Sequence, residues 1–151
     1  MTEVLCLDAN VLVKLLVLEY PPELNAAARR LLDQVDAGAV LVAPAFAWAE
    51  VGSALRKKAR TGELTETRTR EHWDAFLSYG IEYLDSPEIR LRAWEIAADY
   101  GLPTLYDAAF LACTELAPVE EPGSREFWTA DGTLLQQLGD RRPSYVHRLG
   151  G

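Results

Sequence analysis

The run Val4-Leu5-Cys6-Leu7-Asp8-Ala9-Asn10-Val11-Leu12 decides how the rest of the chain is read. Four apolar residues end in a carboxylate, as a buried strand does where it meets solvent. Val11, Leu12, Val13, Leu15 and Leu16 then supply the apolar side of a buried helix. In open parallel sheets, ligands bind beyond the carboxyl ends of the strands. Asp8 therefore stands where a site would be built.

Outward from that run, apolar strands alternate with helical stretches. The first helix is expected over 9–18 and ends at Pro21-Pro22, which cannot donate ladder hydrogen bonds. A second spans 23–35, with Leu24, Ala27, Ala28, Leu31 and Leu32 on one stripe. Val40 to Val42 is a short strand, and Pro44 is read as opening a helix to Arg60, because proline suits a first turn. Thr65 starts another, which carries Trp73, Phe76 and Leu77. Ile81 to Leu84 is a strand. Ser86-Pro87-Glu88 is a strong helix start, with a cap, a first-turn proline and an acid near the positive dipole end. Leu91, Trp94, Ile96 and Ala97 are taken as that helix's apolar side, and Gly101 as its end. A helix opened by Thr104 holds Ala108 to Leu116, and Pro118 to Ser124 is a polar loop. Phe127-Trp128-Thr129 is a strand leading to Asp131, Leu134 to Leu138 a short helix, and Ser144 to Leu149 a last strand. Strands joined by helical crossovers make an α/β fold of three layers, α/β/α, around a mostly parallel sheet of four or five strands.

The chain has 151 residues, the length of one ordinary domain, read as a single domain over 1–151. Apolar residues make up 49% and charged residues 25%, a globular balance. The net charge of −8 argues against a simple nucleic-acid binder, which should be basic. Cys6 and Cys113 lie in apolar stretches with no metal-ligand spacing, and read as buried thiols in a reducing cytoplasm. Met1-Thr2-Glu3 has no basic leader pattern. The longest uncharged stretch, 37–49, is too short to span a bilayer as a helix, so no membrane role is expected.

Four carboxylates sit oddly for their surroundings: Asp8, Glu50, Asp107 and Asp131. Each has a bland alternative. Asp8 could cap the first helix. Glu50 could be solvated, yet Phe46 and Ala54 flank it one turn away on the same face. Thr104 to Asp107 has the outline of a capping box. Asp131-Gly132 is a common turn pair. But Asp8 and Asp131 each close an apolar strand, which puts both at one sheet edge. Two such charges about 4 Å apart repel by roughly 4 kcal/mol at an effective dielectric of about 20. A hard divalent cation compensates, and neither His72 nor His147 has a partner at metal-ligand spacing. An oxygen-only site favours Mg2+ or Mn2+ over zinc.

The order and context of these residues resemble the PIN-domain ribonucleases, and specifically the VapC-type toxins of bacterial toxin–antitoxin pairs. The matching pieces are Leu7-Asp8-Ala9-Asn10-Val11-Leu12, Trp48-Ala49-Glu50-Val51, Tyr106-Asp107-Ala108-Ala109-Phe110-Leu111-Ala112 and Trp128-Thr129-Ala130-Asp131. The resemblance covers almost the whole chain. It implies a PIN-like fold, with Asp8, Glu50, Asp107 and Asp131 as catalytic, metal-binding acids and Asn10 and Thr129 as hydrogen-bonding supports. It implies Mg2+- or Mn2+-dependent hydrolysis of RNA phosphodiester bonds by one or two ions, leaving a 5′ phosphate and a 3′ hydroxyl. Gly132 departs from the family pattern, where a larger or charged residue is common. The fourth acid is the family's least constant metal contact, so Asp131 is the weakest member of the set.

Positive charge concentrates between Arg56 and Arg70, a net +4, and Arg56, Lys57, Lys58 and Arg60 are candidates for an RNA backbone. The alternative is a solvated helix end whose cations suit the dipole. The resemblance also implies a cognate antitoxin, whose helix would lie along Leu12, Leu15, Leu16, Leu18, Tyr20 and Trp48, and a homodimer. Two rivals remain in view. A haloacid-dehalogenase-like phosphatase also places an aspartate after its first strand, but requires an acid where Asn10 stands. A degenerate PIN module would bind RNA or protein without cutting.

Overall fold

The computed structural model describes residues 3–120 and 123–151. Met1 and Thr2, and residues 121–122 of the expected polar loop, lie outside the described residues.

The first apolar run forms strand β1 (Glu3–Leu7). Its alternation divides the core: Val4 and Cys6 face one side of the sheet, Leu5 and Leu7 the other. Around it lie β2 (Val40–Pro44), β3 (Glu82–Leu84), β4 (Ser124–Thr129) and β5 (Val146–Arg148). They form a five-stranded, all-parallel sheet in the order β3-β2-β1-β4-β5. Helices α1 (Ala9–Leu16), α2 (Pro22–Asp36), α3 (Ala47–Arg60) and α4 (Glu66–Leu77) build the Leu5–Leu7 side. Helices α5 (Pro87–Tyr100), α6 (Tyr106–Leu116) and α7 (Gly132–Leu138) cover the other face. The expected three-layer α/β/α fold is what the sequence forms, with the sheet wholly parallel. Among the described residues no helix is long and apolar enough to cross a membrane.

α6 is apolar nearly all round because it is buried nearly all round, between the sheet and α5. Ala108 and Ala112 of α6 and Ala93 and Ala97 of α5 are buried in the same core cluster. The burial pattern corrects the expected face of α5. Ile89, Ala93, Ile96 and Ala97 are buried, whereas Leu91 and Trp94 are 62% and 65% exposed. Leu91 and Trp94 lie off the i, i+4, i+7, i+8 stripe made by Ile89, Ala93, Ile96 and Ala97.

Pro44 is also reassigned. It ends β2, paired with Leu84 of β3 beyond the last pairing of β2 with β1, and α3 begins at Ala47. A strand terminus tolerates the missing N–H as well as a first helical turn does. The Ser86 cap forms as expected, accepting from Ile89 N–H, and Gly101 closes α5 in the left-handed region at φ 63°. Thr65 caps α4, accepting from Arg68 N–H.

One buried polar residue was invisible in the pattern. Asn25 sits within the apolar stripe of α2 and is buried. It donates to the carbonyls of Lys14 and Val17, at 3.0 and 2.8 Å, and accepts from Glu19 N–H. It thereby satisfies the end of α1 and pins the α1–α2 connection. Glu19, held there, accepts from both Lys14 and Lys58.

Candidate active site

The strand order changes direction at β1: the chain leaves β1 toward β2 on one side, while β4 enters on the other. The crevice beyond β1 and β4 is the switch point of the sheet, where ligands bind in folds of this kind. Asp8 follows β1 and caps α1; Asp131 follows β4 and caps α7. Glu50 lies in the first turn of α3 and Asp107 in the first turn of α6. These positions at helix starts lower the cost of gathering negative charge.

The four acids line one cleft of about 330 Å³, together with Ala9, Asn10, Val13 and Ala54. Ala54 is one turn beyond Glu50, and Val13 one turn beyond Asn10. Val13 was not among the sequence candidates, although its spacing from Asn10 was the available signal.

Asp8 is fixed from several sides. Ala9 N–H donates to its Oδ1 at 2.8 Å, and Thr129 Oγ1–H donates to its Oδ2 at 2.8 Å. Asn10 Nδ2 reaches the same Oδ2 at 3.3 Å, while Asn10 Oδ1 accepts from Ala130 N–H. Thr129, fully buried, also accepts from Asp131 N–H at 2.9 Å. Asn10 and Thr129 thus tie the ends of β1 and β4 together through Asp8. Asp131 Oδ1 accepts from Thr133 and Leu134 N–H, so this acid is a helix cap as well as a cleft residue. The capping box that was the alternative reading of Thr104 and Asp107 does not form: Leu105 is the cap position and makes no side-chain cap bond. Asp107 faces the cleft instead.

The electrostatics follow from burial and crowding. Burial pushes Asp8 up to about 6, opposed by the Thr129 hydrogen bond and helped by the charge of Asp107. Burial, then Asp8 and Asp107, push Glu50 up to about 7. Burial and Asp131 raise Asp107 above the usual carboxylate range. Glu50 Oε1 is buried with no hydrogen-bond partner. An unpaired buried carboxylate oxygen beside two other acids is the environment a cation relieves. Among the described residues no three His, Cys, Asp or Glu side chains are gathered tightly enough to hold one ion together. Magnesium does not require that: it keeps several waters and binds directly through one or two carboxylates. The donor set, all oxygen, fits such an ion.

The basic candidates disperse. Arg56 pairs with Glu66 at 2.8 Å, and Lys58 with Glu19 and Glu63 at 2.9 and 2.7 Å. Lys57 and Arg60 are exposed and make no ion pair among the described residues. Of the apolar partner candidates, Leu12, Leu15 and Leu16 are core, while Tyr20 and Trp48 are 94% and 50% exposed. Trp48 lines a second, larger groove of about 820 Å³ between α3 and α4, with Gly52, Arg56 and Trp73. A Cβ at Gly52 would lie 3.1 Å from the Trp73 ring, so glycine sets how closely α4 packs there. The four carboxylates line the smaller cleft and not this groove.

A parallel α/β domain with carboxylates and no histidine at its switch point defines a class of acid-lined domains suited to hard cations. Within it the chain belongs to the PIN domain family, whose model matches residues 5–120 and whose members are generally nucleases. That stretch contains Asp8, Glu50 and Asp107, and Asp131 falls outside it. The fold is similar to that in a crystal structure of VapBC2 from Rickettsia felis bound to a DNA fragment from their promoter. The two chains share 15% identity at a TM-score of 0.60, over 96% of this chain and 98% of that one. No protein of curated function matches the sequence.

Proposed function

We propose that this protein is a metal-dependent endoribonuclease, the toxin half of a toxin–antitoxin pair, acting in the cytoplasm. The observation that carries the reading is the unpaired buried oxygen of Glu50, set among acids whose pKa values are raised. Of Asp8, Glu50, Asp107 and Asp131, one or two would bind Mg2+ or Mn2+ directly and the others would act through its waters. When bound, a divalent ion neutralises charge at the scissile phosphate and makes water a better nucleophile at neutral pH. The chain's own residues supply position. Thr129 and Asn10 hold Asp8 in one orientation, so its charge needs no reorganisation when a phosphate arrives. The starts of α1, α3 and α6 aim their positive dipole ends toward the same cleft.

RNA backbone contacts are assigned to exposed Lys57 and Arg60 first. Arg56 and Lys58 are already committed to carboxylates. An antitoxin helix is proposed for the groove between α3 and α4, where Trp48 and Trp73 offer aromatic anchors. Exposed Leu91 and Trp94 on α5 are the face available to a second copy in a homodimer. The phosphatase reading loses ground because Asn10 is occupied by Asp8 and Ala130 and supplies no second acid.

The test is incubation of single-stranded RNA with the purified protein in magnesium and in EDTA, with end-group analysis of the fragments. Cleavage in magnesium alone, leaving 5′ phosphates, supports the reading. Intact RNA in both conditions, or a phosphoryl group covalently held on Asp8, overturns it.

A further inference from the structure

Among the described residues five aromatic side chains are at least two-fifths exposed, and one of them adjoins an acid of the cleft directly. Tyr106 is the first residue of α6, immediately before Asp107, and is 60% exposed. Its ring is not loose. It meets the Phe46 ring edge-on at 5.4 Å and 81°, and Phe46 meets Phe110 in the same manner at 6.1 Å. Phe110 in turn packs against Phe127 in the core. A ladder of aromatic rings therefore runs from the centre of the molecule to the surface and ends at Tyr106. Phe46 is also one helical turn before Glu50. Both ends of the Phe46–Tyr106 contact are thus tied to cleft acids: Tyr106 adjoins Asp107 in the chain, and Phe46 lies one turn from Glu50.

The other exposed aromatics have different surroundings. Trp48 is two residues from Glu50 and turns away into the α3–α4 groove. Tyr20, Tyr83 and Trp94 belong to other parts of the surface, and no cleft residue adjoins them in sequence.

We infer that Tyr106 is a stacking platform for an unpaired nucleobase next to the scissile phosphate. This inference rests on the nuclease reading of the cleft and specifies its substrate as RNA that is single-stranded at the cut. A nucleotide flanking a phosphodiester at the acids is of a size to reach the residue next to Asp107, which is Tyr106. A rigid aromatic ring there offers its face at little entropic cost, because Phe46 has already immobilised it. Base–aromatic stacking tolerates any sequence, since every base has a π-face. A base held in a duplex has its faces covered by its neighbours and cannot use the platform.

The experiment uses the full chain and an oligoribonucleotide whose cleaved bond has been mapped with the wild-type protein. Tyr106→Ala should raise KM by about tenfold, equivalent to ~1.4 kcal/mol, within the range of one base–aromatic stack, and leave kcat unchanged. Tyr106→Phe keeps the ring and should keep the wild-type KM. Removing the base beside the cleaved bond, with an abasic ribose in its place, should cost the wild type a similar factor and Tyr106→Ala nothing further. An unchanged KM in Tyr106→Ala overturns the inference while leaving the nuclease reading intact. So does an equal loss in Tyr106→Phe, which would make the hydroxyl the active element. An abasic penalty that persists in Tyr106→Ala, or a change of oligomeric state in place of a change in KM, has the same consequence. If wild-type protein leaves the RNA whole in magnesium, the nuclease reading fails and the inference falls with it.

Discussion

Glu50→Gln removes one charge from the cleft and nearly conserves its shape. In the unfolded chain Glu50 ionises near its ordinary 4.5, but in the fold only at about 7. Ionising it in the fold at pH 8 therefore costs stability. At ~1.4 kcal/mol per pH unit the rise corresponds to roughly 3 kcal/mol. The side chain is partly exposed, and solvent screening reduces this to ~1–2 kcal/mol. A raised carboxylate pKa makes the folded state lose stability as pH climbs from the unfolded value to the folded one. In EDTA, then, Glu50→Gln should melt above wild type at pH 8, by roughly 3–6 °C for a chain of this length. Most of that gain should vanish by pH 5, where folded wild-type Glu50 is already protonated. Magnesium should reverse the order. Wild type gains by mass action, ~2.7 kcal/mol at about a hundredfold excess over the dissociation constant, whereas the glutamine variant has lost a ligand and gains less. Calorimetric melts at both pH values, with EDTA and with magnesium, are the assay. A glutamine variant that melts no higher than wild type at pH 8, or is equally favoured at pH 5, refutes the claim that Glu50 carries a strained charge.

Asp107→Asn should behave similarly in the same melts, higher in EDTA and less responsive to magnesium; equal melting temperatures in all conditions would return Asp107 to a plain helix-start role. Asn25→Ala strips two carbonyls and one N–H of their partner, and should cost ~3–6 kcal/mol at ~1–2 for each of the three lost bonds, read by urea denaturation. A loss below about 0.5 kcal/mol, the scale of an ordinary surface substitution, would mean water replaces the amide. Trp48→Ala should weaken a co-expressed antitoxin by at least ~2 kcal/mol, measured by titration calorimetry, with little change in the stability of the free protein. Unchanged affinity would take the α3–α4 groove out of that interface.

Strand ends were the most legible feature. An acid closing an apolar run is local information, and it located Asp8 and Asp131 beyond β1 and β4 without knowledge of the strand order. The sheet's order was not legible, because β1 and β4 are neighbours only through contacts far apart in sequence. Nor was the bonding of Thr129 to Asp8, which depends on that pairing. The apolar residues of α5 do not by themselves show which helical stripe is buried. That stripe runs through Ile89, Ala93, Ile96 and Ala97, and Leu91 and Trp94 lie off it. Pro44 was ambiguous in principle, since one proline ends a strand or opens a helix equally well. Thr104 and Asp107 had capping-box spacing, but the helix starts one residue later than that motif requires. The Phe46–Tyr106 contact joins two helix starts about sixty residues apart in sequence, and no local pattern announces it.

The central claim is that the carboxylates at the switch point cut RNA with a divalent cation. It is tested most directly by assaying wild type and Asp8→Asn side by side on single-stranded RNA in magnesium, after circular dichroism has shown both to be folded. The expected result is cleavage by wild type that EDTA abolishes, and none by Asp8→Asn. A folded Asp8→Asn protein that cuts at the wild-type rate, or wild-type cleavage that persists in EDTA, would contradict it.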